Sequence, residues 1–284
     1  MLKLIFKPIK DIAFTIAASQ RLRKVVKHVL KHINLKKPIG LKMKGYTMYG
    51  RTIDRLLAII LWRYNLLEGF ESSLYQKLLR KDMKILDIGA NLGYYSFIAH
   101  NRIGESGKIY AFEPEEDNYG LLVKNIEKNN TKNIIPIKKA VTNETGSGKL
   151  YICEEHRGDH QVFDSGEGRD SIDIETVRID DFVNEKIDLI KMDIQGSEFL
   201  ALDGMEKTLA NENIIVLTEF WPNGIKKCGH DPRIFLERLS EMGFNFQVID
   251  EKKRRVYNSD IEGIMKICPG DKHTNLLLRR NEIS

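Results

Sequence analysis

Two short stretches place carboxylates and glycines at a spacing that suits a nucleoside ligand. Residues 85–96 read ILDIGANLGYYS and residues 111–118 read AFEPEEDN. The first is an apolar run that ends at Asp87, turns through Gly89, Asn91 and Gly93, and enters a helix. Glycines in such a turn let the backbone bend and let a ligand approach without a Cβ in the way. Glu113 ends the next apolar run, twenty residues after Gly93, where an acidic side chain accepts hydrogen bonds from ribose hydroxyls. Pro114 closes that strand. Asn118 opens the following helix and either reaches an adenine or serves the helix alone. Ala140, between Lys139 and Val141, follows the third strand, where backbone groups border an adenine.

The same residues choose among ligands. A dinucleotide fingerprint wants glycine where Asn91 stands and an apolar residue where Asp87 stands. The pyrophosphate of NAD would be repelled by a carboxylate at Asp87. S-adenosylmethionine has no phosphate and carries an ammonium, which a strand-end carboxylate holds directly or through water. The turn therefore predicts S-adenosylmethionine. Two other readings compete: an NAD-dependent oxidoreductase, opposed by Asp87 and Asn91, and a non-catalytic scaffold that keeps the nucleotide-binding sheet. Retention of Asp87, Gly89, Gly93 and Glu113 together speaks against the scaffold.

A methyl group on a sulfonium is already activated, so the protein must align it with an acceptor and take the acceptor's proton. Three residues are candidates for this work. Asp193 ends the fourth core strand in KMDIQGSE, and Glu219 ends the fifth in TEFWP. His160 lies in a polar insert, HRGDH, and has the pKa range of a base at neutral pH. Asp193 and Glu219 could together hold a divalent cation with hard oxygen ligands. A third ligand is missing from the obvious places, so a cation is the less favoured reading.

The elements that must position these groups follow from periodicity. Short apolar runs near 84–88, 108–112, 134–138, 187–192, 214–219, 244–249 and 274–279 alternate with helical segments near 93–103, 116–130, 197–210 and 231–242. Two further strand-like runs, KLYICE and SIDIETVRI, flank the polar insert. KKRR at 252–255 marks a solvated turn between late strands.

The N-terminal part differs. Residues 1–47 hold twelve Lys or Arg against one acid, Asp11, a charge of +11, so the net charge of +5 hides a mildly acidic remainder of −6. Apolar residues from Leu22 to Ile33 fall at helical spacing among lysines, which suits either an anionic membrane surface or packing on the chain's own domain. Nucleic acid is disfavoured, because the arm lacks interleaved aromatics. The expected organisation is a basic helical extension over 1–80 and a catalytic domain over 81–284. No run approaches a transmembrane length, and the three scattered cysteines imply no disulfide or zinc site. The chain reads as cytoplasmic, with peripheral binding at the inner membrane face through the arm.

DIGANLGYYS, AFEPEEDN, TVRIDDF, DLIKMDIQGSE and VLTEFWP, in this order, resemble the FkbM-like S-adenosylmethionine-dependent methyltransferases over about residues 80–280. The resemblance implies an α/β class I methyltransferase fold: a Rossmann-like seven-stranded sheet with helices on both faces and a final strand inserted antiparallel. It also implies transfer to a hydroxyl of a small molecule, sugar or other glycan-like acceptor. Gln195 in DIQGSE departs from the family, which usually has an acid or a Gly-rich step there.

Overall fold

A computed structural model describes residues 34–52, 58–60, 63–64, 68–153 and 158–280. The basic segment at 22–33 lies outside these residues, as does His156 of the insert. In chain order the strands are β1 (Asn34–Lys42), β2 (Thr47–Thr52), β3 (Lys84–Ile88), β4 (Lys108–Phe112), β5 (Ile134–Ile137), β6 (Ala140–Val141), β7 (Gly146–Tyr151), β8 (Ser171–Val177), β9 (Leu189–Met192), β10 (Ile215–Phe220), β11 (Asn245–Asp250), β12 (Arg255–Asn258) and β13 (Thr274–Arg279). Among the described residues, the helices of ten residues or more are α1 (Gly69–Leu78), α2 (Tyr94–Ile103), α3 (Glu116–Asn129) and α4 (Pro232–Glu241).

The main sheet has the order β12-β11-β13-β10-β9-β3-β4-β5. β5, β4, β3, β9 and β10 run parallel, and β13 lies antiparallel between β10 and β11. This is the class I methyltransferase arrangement that the resemblance implies. An eighth strand, β12, extends it: the KKRR turn reverses the chain, and β12 pairs antiparallel with β11 at the edge. Pro136 occupies the opposite edge strand, β5, where a missing N–H breaks no inner ladder.

Side chains alternate across the sheet. Leu86, Ile190, Val216 and Leu276 pack on one face with Phe235, Leu236 and Leu239 of α4 and Ile264. Ile85, Leu189, Ile215 and Leu277 face the other way, toward Phe97 and Ile103 of α2 and Leu121 and Leu122 of α3. Helices thus cover both faces. The two strand-like runs around the insert become β7 and β8, which form a separate three-stranded sheet with β6.

Residues 34–52 depart from the expected helical extension over 1–80: they form an antiparallel hairpin. Pro38 and Gly40 oppose a helix, Gly45 turns the chain at φ +92, and burial alternates from Tyr46 to Gly50. The hairpin joins the core of the catalytic domain, with Met48 fully buried and Tyr46 stacked on Phe97 at 4.9 Å. Tyr75 and Leu78 of α1 belong to the same cluster. Two asparagines of α3 complete the junction. Asn129 accepts from the Thr47 amide at 2.7 Å and donates to its carbonyl at 2.7 Å, and Asn125 accepts from the Tyr49 amide at 2.8 Å.

The helix expected over 197–210 is broken into Glu198–Asp203 and Glu206–Leu209. The break is at Gly204, whose carbonyl accepts from the Asp180 amide at 3.0 Å, and where a Cβ would lie 2.0 Å from the Thr142 carbonyl oxygen. At the start of α1, the Glu251 carboxylate accepts from the amides of Phe70 at 2.8 Å and Glu71 at 3.0 Å. No helix among the described residues is long and apolar enough to cross a membrane.

The substitution Asn129→Ala should cost about 1–3 kcal/mol, because it strands the Thr47 amide in a partly buried junction. Amide exchange at Thr47 should accelerate while exchange in β4 is unchanged. Equal acceleration at both places would show that the hairpin is not held locally.

Candidate functional site

The parallel strands end at one side of the sheet, and their first turns are shaped by close backbone approaches. Gly89 follows β3 at φ +84, and a Cβ there would lie 2.1 Å from the Asp193 carbonyl oxygen after β9. Gly196, at φ +98, lies so close to Gly224 that a Cβ would meet its backbone at 2.6 Å. The ends of β3, β9 and β10 are thereby drawn together. Beside them opens a cleft of about 540 Å³, lined by the turns after β3, β4 and β9, by Ala140 and Val141, and by His160 and Val162 of the insert.

Of the residues expected to hold a cofactor, Gly89, Asn91, Glu113, Pro114, Asn118 and Ala140 line this cleft. Glu113 is its best-organised polar group. Its carboxylate accepts from the Asn91 amide at 2.9 Å, from the Glu115 amide at 3.0 Å and from the Asn118 side chain. Asn91 sits at φ +51, a left-handed conformation that asparagine tolerates, to aim that amide. Three of roughly four acceptor positions on the carboxylate are used, which leaves one for a ligand hydroxyl. Burial pushes Glu113 up to about 7, against the pull of its backbone donors. Asn118 therefore does two things: it lines the cleft and steadies Glu113.

Gly93 and Asp87 do not line the cleft. Gly93 shapes the turn at φ +91 and packs against Leu122. Asp87 is 2% exposed and lies behind the turn, accepting from the hydroxyl and the amide of Ser96 in the first turn of α2. The reason is strand periodicity. Asp87 shares its sheet face with Ile85, so its side chain meets α2 rather than the ligand side. Burial, opposed by Ser96 and Lys191, raises its carboxyl to about 6.

The three catalytic candidates divide. Asp193 and His160 line the cleft, whereas Glu219 stands just behind it. Gln195, at φ +55, bridges the two acids, donating from Nε2 to Asp193 Oδ1 at 2.8 Å and to Glu219 Oε2 at 3.2 Å. Its position outside the family pattern thus has a structural use: an amide here links two carboxylates where an acid would repel them. Burial first, then the charges of Asp193 and Glu198, hold Glu219 well above the usual carboxylate range. His160 Nδ1 accepts from the Cys153 amide at 3.0 Å, so one ring nitrogen orients the insert. Among the described residues, no group of three His, Cys, Asp or Glu is placed to hold a metal ion.

Sequence reasoning passed over the charges beneath this site. Lys191 of β9, two residues before Asp193, is 3% exposed and pairs with the buried Glu71 of α1 at 3.2 Å. Its ammonium also lies 4.8 Å from the Tyr95 ring centroid. Burial alone would lower this lysine, but Glu71, Asp193 and Glu68 raise it above its ordinary value. Glu68 rises to about 8 through burial and the neighbouring Glu71. Lys191 is thus the cation around which several buried carboxylates gather. In the sequence it is only a polar residue inside an apolar run.

Comparison with known proteins identifies the family by sequence. The Methyltransferase FkbM domain family matches residues 87–247, more than half of the chain. The hexuronic acid methyltransferase AglP of Haloferax volcanii is 24% identical over 196 residues, covering 66% of this chain and 75% of its own. Methyltransferase sdnD of Sordaria araneosa is 26% identical over 177 residues, covering 50% and 68%. A crystal structure of methyltransferase FkbM from Methylobacillus flagellatus KT aligns with a TM-score of 0.40 at 15% identity, covering 78% of this chain and 54% of that one.

Removing the central cation should be costly. Lys191→Met leaves Glu71 buried without its partner and should lower stability by about 3–5 kcal/mol, read from denaturant midpoints. The double replacement Lys191→Met with Glu71→Leu should recover much of that loss. A double variant no better than the single one would show that the pair is not what matters.

Proposed function

The chain belongs to the Methyltransferase FkbM domain family and is a methyltransferase; we propose that its donor is S-adenosylmethionine and that it methylates a hydroxyl of a sugar or glycan-like acceptor. The observation that carries the donor assignment is Glu113, a strand-end carboxylate oriented by two backbone amides and Asn118, with acceptor capacity left toward the cleft. A ribose hydroxyl suits that position. Gly89 and Ala140 give the nucleoside backbone walls without side-chain bulk. The bound donor supplies an electrophilic methyl group on a sulfonium. Asp193 gives this end of the cleft a carboxylate that suits a cation.

A carbohydrate acceptor is supported by the hexuronic acid methyltransferase among the relatives. The cleft adds to this support. Gln195 of the lining donates to Glu219, and Trp221 lies two residues further along the chain, an apolar ring near polar groups that suits the two faces of a sugar.

Two outcomes test this reading. Donor affinity, measured by calorimetry, should rise with pH. Glu113 is raised to about 7 in the free protein, so it holds its proton below that pH. A ribose hydroxyl needs the ionised form, which gives affinity about tenfold weaker at pH 6 than at pH 8. Glu113→Gln should flatten the dependence, and a wild type indifferent to pH over this range would remove Glu113 from the ribose position. Separately, methyl-labelled S-adenosylmethionine incubated with glucuronic acid and with glucose oligosaccharides should yield alkali-stable methyl ethers. Label found only as alkali-labile ester would move the reaction to a carboxylate.

A further inference from the structure

β13 runs antiparallel to β10 and β11, so its first residues lie beside the carboxyl end of β10, one strand away from β9. Thr274 is opposite Phe220, and Asn275 is opposite Glu219. The loop immediately before β13 therefore arrives at the carboxyl end of β10, bringing Asp271 and His273. Asp271 Oδ1 accepts from Trp221 Nε1 at 2.9 Å and from Asn223 Nδ2 at 3.0 Å, which fixes the indole at the end of β10. His273 Nε2 stands 3.6 Å from Glu219 Oε1. The other oxygen of Glu219 meets Gln195, and Gln195 meets Asp193. Four polar side chains thus form one line, from Asp193 in the cleft out to His273.

We propose that His273 is the base that takes the acceptor's proton, that Glu219 orients its ring, and that Trp221, held by Asp271, is the wall against which a sugar acceptor rests. The proposal rests on the methyl-transfer reading above and names the acceptor end of that site.

The two acids of this line already have neighbours. Asp193 accepts from Gln195, and Glu219 accepts from the same amide through Oε2 while Oε1 faces His273. His273 has a side chain that is 59% exposed, open to an incoming acceptor. Its Nε2 faces Glu219, so Nδ1 is the nitrogen turned away, and among the described residues it makes no hydrogen bond. This division of labour, one ring nitrogen on a carboxylate and the other on the reacting hydroxyl, is how a carboxylate fixes a histidine base.

The step balances without another reactant. The acceptor's O–H proton passes to Nδ1 while an oxygen lone pair forms the bond to the methyl carbon. The carbon–sulfur bond breaks, and its electrons remain on sulfur. The products are a methyl ether and S-adenosylhomocysteine. The imidazolium stands beside Glu219 and returns its proton to water.

The test separates this inference from the reading beneath it. His273→Ala should bind S-adenosylmethionine within about twofold of wild type by calorimetry, yet transfer label to the sugar probes at least about 10²-fold more slowly. Added imidazole should restore part of the rate. Trp221→Ala should raise the sugar KM more than it lowers kcat. Unchanged transfer by His273→Ala overturns the proposal, and so does a loss matched by weaker donor binding. A wild type that methylates neither probe overturns the sugar acceptor instead. One measurement needs no acceptor: ¹³C-histidine-labelled protein loaded with S-adenosylhomocysteine, compared with Glu219→Gln. The His273 signal, assigned from His273→Ala, should move. An unmoved signal means that ring and carboxylate do not meet in solution, and the proposal fails.

Discussion

Gly89 approaches the Asp193 carbonyl so closely that no side chain fits between them, and the geometry of the site depends on that contact. The amides of Gly89 and Ala90 both donate to the Phe112 carbonyl, at 3.0 and 2.9 Å, and the Asp193 amide donates to the Ile88 carbonyl at 3.0 Å. Three neighbouring strand ends are therefore fixed to one another by backbone alone. Side chains are then free to serve a ligand. Glu113 is aimed by the turn after β3, and Asp193 is aimed by the turn that Gly196 permits. A positive φ at Asn91 and Gln195 shows where the chain accepts conformational cost at the site, while Gly89, Gly93 and Gly196 take the same region without it.

Beneath this backbone lies an electrostatic arrangement that a purely apolar core would not need. Glu71 and Asp87 are buried near Lys191, and Glu68 reaches Tyr95 at 3.1 Å. Acids outnumber the cation, and most of them are raised by burial. Such a layer is costly to assemble and is stabilised by the charge of Lys191 together with hydrogen bonds from Ser96, Tyr95 and Asn275.

Much of the sheet was legible because its signals are local. Apolar runs of four to six residues that end near Asp87, Pro114 and Asp193 mark β3, β4 and β9, and Glu113, picked out by its spacing from Gly93, lies in the cleft. What escaped depends on partners distant in sequence. Asp87 looks like a cleft residue because it nearly ends its strand, but the alternation of β3 turns it toward α2. Gly204 breaks a helical pattern because Thr142 presses on it from another element. The hairpin over 34–52 exists because α3 offers asparagines to its edge. His273 carried no signal at all, since only the antiparallel course of β13 brings it to Glu219.

The Glu251 clamp on α1 has a consequence for the order in which the protein can mature. The amides of Phe70 and Glu71 find their acceptor about 180 residues later in the chain. A ribosome adding roughly 5–20 residues per second needs about ten to forty seconds to cover that distance. For that interval the first turn of α1 has only water for those amides, and Glu71 also lacks Lys191 until β9 emerges. The helix that carries the partner of the central cation is made early and secured late. Productive folding must therefore keep that stretch from finding other partners until the last third of the chain has arrived.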